Sequence, residues 1–136
     1  MRILVTTLLC LLACSCGGGS DTESPPTVTF RMRIHDGASA DEFRISTSST
    51  AVVAKARSQL ALPESQRTLF ASGAIAAGSG GVNTGWSWHF TDPTLVEVAI
   101  ELCDGNPRMV EANLAYWLET VKSFCPWGSY VYAEGV

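Results

Sequence analysis

The chain has 136 residues, 46% hydrophobic and 16% charged, with a formal net charge of -4. At this length one globular domain is the simplest organisation. The acidic balance leaves no basic footprint for nucleic acid, which is excluded as a partner.

The chain begins Met1-Arg2, then an apolar run from Ile3 to Ala13, then Cys14-Ser15-Cys16 and a Gly/Ser stretch. As a helix that run would be about 16 Å long, half of a bilayer core of about 30 Å, so it does not span. A basic residue, a short apolar core and a small residue before the break are the parts of a secretory signal peptide, here 1–13. Leu11-Leu12-Ala13-Cys14 resembles the lipobox of bacterial lipoproteins, with leucine at the third position before the cysteine and alanine directly before it. Leu12 departs from the usual small residue, and Cys10 and Cys16 fit the pattern less well than Cys14. The resemblance implies cleavage before Cys14, diacylglycerol on its thiol and palmitate-like acyl chains as the anchor. Each buried methylene contributes about 0.8 kcal/mol, so two or three chains hold a protein on a membrane without a spanning helix. Ser15, rather than Asp, after the cysteine resembles the form sorted to the outer membrane. Residues 14–26 are then a lipidated tether of Gly, Ser, Asp, Thr, Glu and Pro, and residues 27–136 a single domain. The expected location is the cell envelope, with the membrane engaged through the lipid.

From Thr27 to Ile34, Val28, Phe30, Met32 and Ile34 alternate with Thr29, Arg31 and Arg33, the period-two pattern of a half-buried strand. Turn residues in "HDGASAD" lead to Phe43 and Ile45, which resume the alternation and predict a hairpin. Ser48-Ser49-Thr50 supplies a helix cap before Val52, Val53, Ala56 and Leu60, and Pro63 marks the helix's end. Leu69 to Gly78 reads as a strand with close backbone neighbours at its glycines, followed by the glycine-rich "GSGGVNTG". Trp86 to Phe90 and Val96 to Leu102 are predicted as two strands around a "TDPT" turn. An odd loop or bulge in that hairpin would put Trp86 and Trp88 with Val98 and Val96, and keep Trp88 from facing Glu97. Asn106-Pro107 opens a helix through Val110, Leu114, Trp117 and Val121, and Tyr130 to Glu134 is a last strand. The order β-β-α-β-β-β-α-β predicts an α+β domain, a mainly antiparallel sheet of five to six strands with two helices packed on it.

In an exported chain with Cys14 lipidated, the domain holds two cysteines, Cys103 and Cys125, which are expected to form a disulfide. "GWSWHF", residues 85–90, contains the start of a nucleophile elbow, but His89 stands where its last glycine would be and no helix follows. Ser87 and His89 share a strand face about 6.6 Å apart, beyond direct hydrogen-bond reach of a nucleophile and base unless the side chains lean together. With only His35 and His89 and no H-E-x-x-H helix, zinc chemistry has no ligand set. Asp92, Glu97, Glu101 and Asp104 are acidic but lack EF-hand spacing, and "GSGG" lacks the Lys-Ser/Thr of a phosphate loop. No metal or cofactor is assigned.

"NTGWSWHFTDP", "VEVAIELCDGNPRMVE" and "FCPWGS" occur in that order. Together they resemble the BP-seventy-four N-terminal domain family, through Asn83, Trp86, Ser87, His89, Asp92-Pro93, Glu101, Cys103-Asp104, Val110-Glu111 and Cys125-Pro126-Trp127. The resemblance implies a single compact domain whose two cysteines belong together, and no catalytic mechanism. It makes Asn83, His89, Glu101 and Asp104 the candidate binding residues. The expected function is a non-catalytic binding domain, with a protein or a glycan as ligand, on a lipid-anchored envelope protein. The alternatives are a hydrolase-like enzyme using His89 with Ser87 or Glu101, and a calcium-stabilised adhesion domain.

Overall fold

A computed structural model of the chain describes residues 23–34, 41–100 and 102–136. The signal peptide, Cys14, Cys16, His35 and Glu101 lie outside the described residues. Among the described residues no helix is long and apolar enough to cross a membrane.

The elements run β1 (Val28–Ile34), β2 (Glu42–Thr47), α1 (Thr50–Leu60), β3 (Phe70–Ala77), β4 (Trp88–Phe90), β5 (Thr94–Val96), α2 (Pro107–Ala112), α3 (Leu114–Tyr116), β6 (Ser123–Phe124) and β7 (Ser129–Glu134). The fold is α+β with antiparallel strands, as the sequence predicts, and the strands divide into two sheets. One has the order β2-β1-β7; the other is built around β3, which pairs with β4, β5 and β6.

The alternation in the first hairpin sets its faces. Phe30 pairs with Ile45 and Met32 with Phe43, and all four are buried. Their outward neighbours form a polar face, where Arg31 donates two hydrogen bonds to Glu42 at 2.6 and 3.0 Å. Those bonds hold the Glu42 carboxyl below its ordinary pKa. β7 adds to the other edge of β1 with a step between Arg31 and Met32. The Arg33 guanidinium lies 3.4 Å from the centroid of the Tyr132 ring.

Both predicted caps form: Ser49 accepts a hydrogen bond from the Val52 amide, and Asn106 accepts one from the Met109 amide with Pro107 opening α2. The second helix is not continuous. It breaks at Asn113 (φ -133°, ψ 42°), resumes as α3, and ends in a π-helical turn over Trp117–Val121 closed by Lys122 in the left-handed region (φ 64°). Between the layers, Phe43, Trp88, Phe90, Leu95, Val110, Trp117 and Phe124 share one buried cluster with α1's Val52 and Ala56. A smaller cluster joins Phe70 to Cys103 and Cys125.

The "TDPT" segment is not a hairpin turn, which corrects the predicted pairing of Trp86 and Trp88 with Val98 and Val96. β4 and β5 both run antiparallel to β3, at its two ends: Trp88 pairs with Ala77 and Val96 with Phe70. Between the two ladders Gly73 and Ala74 stand against Thr91, Asp92 and Pro93, so one residue is in excess. That excess shifts the buried parity from Trp88 and Phe90 to Pro93 and Leu95. Proline is tolerated in such a step because it has no amide to leave unpaired. Gly73 makes room for it: a Cβ there would lie 2.7 Å from the Asp92 carbonyl oxygen.

Nor does a strand run from Val96 to Leu102; β5 ends at Val96. The reason lies in α1, where buried Gln59 accepts hydrogen bonds from the Thr68 and Leu69 amides at 2.9 and 3.1 Å. Successive amides of a strand point to opposite sides, so one of these two would continue the β3–β5 ladder, and it is thereby taken.

Candidate functional site

His89 sits at the centre of β4, facing away from buried Trp88 and Phe90. Over it passes the glycine-rich turn, in which Gly78, Gly80 and Gly81 have φ of 80°, 60° and 73°. The turn is pinned by the Gly78 amide donating to the Ser87 carbonyl at 2.8 Å and the Asn83 amide to the Ser79 carbonyl at 2.9 Å. A Cβ on Gly80 would lie 2.5 Å from His89 Cδ2, so only glycine can rest on the imidazole. His89 Nδ1 is 2.7 Å from the Gly78 carbonyl oxygen. A carbonyl only accepts, so Nδ1 carries the hydrogen, and in the neutral ring the lone pair is on Nε2. The imidazole lines a cleft of about 290 Å³ with Arg44, Ser46, Val82 and Thr91.

Gly80→Ala is expected to cost about 1–3 kcal/mol, because the alanine must occupy the left-handed region and displace the ring. In a His89→Ala background the clash disappears and the backbone strain stays, so the same substitution should cost less. Equal costs in the two backgrounds, measured by urea unfolding, would show that the turn does not rest on the imidazole.

Asn83 is buried beneath this turn with both polar atoms of its side chain hydrogen-bonded. Its Oδ1 accepts from the Arg44 amide at 2.9 Å, and its Nδ2 donates to the Trp88 carbonyl at 2.9 Å. It thus joins β2 of one sheet to β4 of the other. Arg44 closes the arrangement by donating to Thr84 Oγ1 at 3.0 Å.

Ser87 and His89 have different partners. The Ser87 hydroxyl donates to Glu111 Oε1 at 2.7 Å and its amide to Glu111 Oε2 at 2.9 Å, tying the start of β4 to α2. Glu111 was not among the candidate residues. Its signal was its place in the "VEVAIELCDGNPRMVE" stretch, and nothing in the local spacing relates it to Ser87, twenty-four positions earlier.

Asp104 lies in a second region, away from the imidazole turn in the fold. Its Oδ1 accepts from the Gly105 amide at 2.9 Å and the Trp127 amide at 3.2 Å. Beside it Cys103 and Cys125 form a disulfide with Cα atoms 5.2 Å apart, and the Cys125 amide donates to the Cys103 carbonyl at 2.8 Å. Glu101, the remaining candidate, lies outside the described residues. Of the acids weighed for calcium, no group of three or more His, Cys, Asp or Glu side chains able to hold a metal occurs among the described residues.

The same region gathers several exposed apolar side chains. Val98, Ile100, Leu102 and Trp127 are 72%, 97%, 98% and 50% exposed. With Ala99 and Asp104 they border an open cleft of about 580 Å³. Trp127 stacks on Phe70, 6.3 Å between centroids, so its indole is held in place with one side in water. The surface falls within the "VEVAIELCDGNPRMVE" and "FCPWGS" stretches, but the alternating apolar residues of its main segment read as a strand facing the core.

The residues carrying the family pattern thus fall into two structural groups, one organised by Asn83 and His89 and one by the disulfide and Asp104. No curated protein and no solved structure matches the chain. The model of the BP-seventy-four N-terminal domain matches residues 26–135, which takes in both groups, and the chain belongs to that family.

Proposed function

We propose that the protein is a lipid-anchored envelope protein, carried on Cys14, whose domain over residues 27–136 binds a protein partner without catalysing a reaction. The observation that carries the binding role is the exposed cluster of Val98, Ile100, Leu102 and Trp127 around an apolar cleft. Apolar surface gathered at one place on a small domain marks interaction sites, and a fixed, half-exposed tryptophan is a frequent anchor in protein interfaces. The apolar lining favours a protein over a glycan as ligand. Against catalysis stands the separation of Ser87 and His89, each tied to its own partner.

The anchor and the surface are tested separately in the native cell. Cys14→Ser should release the protein from the membrane fraction; retained acylation and membrane association would refute the anchor. A photo-crosslinking residue at position 100 should give discrete protein adducts that a residue at exposed Gln66 does not. The same adducts from both positions, or none from either, would refute the surface.

A further inference from the structure

The segment after Val96 combines three properties. Its backbone is unspent: among the described residues, β5 pairs no further than Val96, and no backbone hydrogen bond joins residues 97–100 to another part of the chain. Its apolar side chains Val98, Ile100 and Leu102 face water while Ala99 packs toward the disulfide cluster. Its charge has one sign: from Val96 to Gly105 the chain carries Glu97, Glu101 and Asp104, and no Lys, Arg or His. Glu97 and Asp104 are exposed at the two ends of the apolar stretch.

We infer that this segment is the docking edge for an extended polypeptide of another protein, in which apolar residues alternate with lysine or arginine. The identification rests on the reading of the domain as a protein-binding module and names the partner's chemistry. A strand laid against an unpaired edge supplies main-chain hydrogen bonds for affinity and places alternate side chains on opposite sides for specificity. Its apolar residues meet Val98, Ile100, Leu102 and Trp127, and its basic residues meet the flanking carboxylates. Opposite charge on the rim also favours encounter and rejects acidic partners. A second copy of this chain brings acid against acid at the same edge, and an anionic lipid surface is repelled for the same reason.

The test uses the full chain in phosphatidylcholine vesicles and a short fluorescent peptide alternating Lys with Val and Ile, read by anisotropy against protein-free vesicles. The basic peptide should bind the protein, and the same peptide with Glu for Lys should bind about tenfold more weakly or not at all. Methylating alternate backbone nitrogens on one edge of the basic peptide removes strand pairing while keeping its side chains, and should weaken binding about tenfold. Glu97→Lys should weaken the basic peptide and strengthen the Glu peptide, a reversal that misfolding does not produce. Equal binding of the methylated peptide, equal binding of the Glu peptide, or dimerisation of the chain through position 100 would each overturn the inference. Cellular adducts at position 100 with no basic-peptide binding would refute this partner chemistry alone, whereas absence of the adducts would refute the binding surface itself.

Discussion

Trp88→Ala is expected to lower the unfolding free energy by about 3–5 kcal/mol, the range for truncating a buried aromatic side chain. Trp88 is fully buried and touches the rest of the aromatic core on several sides: Phe124 at 5.2 Å and Phe90 at 5.9 Å, both edge-on, with Phe43 and Trp86 at 6.0 and 6.1 Å between centroids. The cavity left by alanine therefore opens between β2, β4 and β6, elements belonging to both sheets, and no single shift can close it. A small domain's whole stability is about 5–15 kcal/mol, so this variant should be largely unfolded under mild denaturant. Trp88→Phe separates packing from polarity. Trp88 Nε1 is buried without a hydrogen-bond partner among the described residues, and phenylalanine removes that uncompensated donor while keeping one ring. Its cost should be well below that of alanine. His89→Ala, on the outward face of the same strand, should cost about 1 kcal/mol, the value of its hydrogen bond to Gly78. Urea midpoints at constant slope give all three numbers, and a Trp88→Ala loss no larger than that of His89→Ala would show that the β4 faces are wrongly assigned.

That contrast between neighbours was visible in the alternation of residues 85–90, which is a local property. A period of two says which side chains share a face, and so Phe30 with Met32, and Trp88 with Phe90, could be placed before any coordinates. Caps are equally local, since Ser49 and Asn106 each act on an amide three positions away. Which strand lies beside which is not local. Trp88 pairs with Ala77 because Gly73 lets the chain step past at Asp92 and Pro93, and "TDPT" in isolation carries the same turn chemistry either way. The exposed edge was hidden for a related reason: Val98, Ile100 and Leu102 alternate as a core strand would, and Gln59, more than thirty residues earlier, takes the amides of Thr68 and Leu69, the next step of the β3–β5 ladder. Asn83 was legible as a polar residue within a glycine-rich stretch, but its engagement by Arg44 and Trp88 depends on the meeting of two sheets.

Removing the disulfide by Cys103→Ala with Cys125→Ala is expected to cost about 3 kcal/mol. The two cysteines are 22 positions apart and enclose α2, α3 and the π-helical turn. In the chain-entropy model the bond acts chiefly by restricting that loop in the unfolded state, so the loss depends on loop length more than on any contact in the fold. Two observables separate this from a packing effect. The uncrosslinked chain exposes more surface when unfolded, so the urea slope should rise along with the fall in midpoint. Native structure near the junction should also persist, because the Cys125 amide still donates to the residue 103 carbonyl and the Asp104 carboxylate still receives the Trp127 amide. Both sulfurs are buried under Phe70 and Val96, so a reductant should cut the bond quickly only in urea, where the cluster opens. A double variant with unchanged midpoint and slope would show that the bond contributes nothing. A fall in midpoint with no rise in slope would shift the explanation from the unfolded chain to the packing of Phe70, Val96 and Val121 around the bridge.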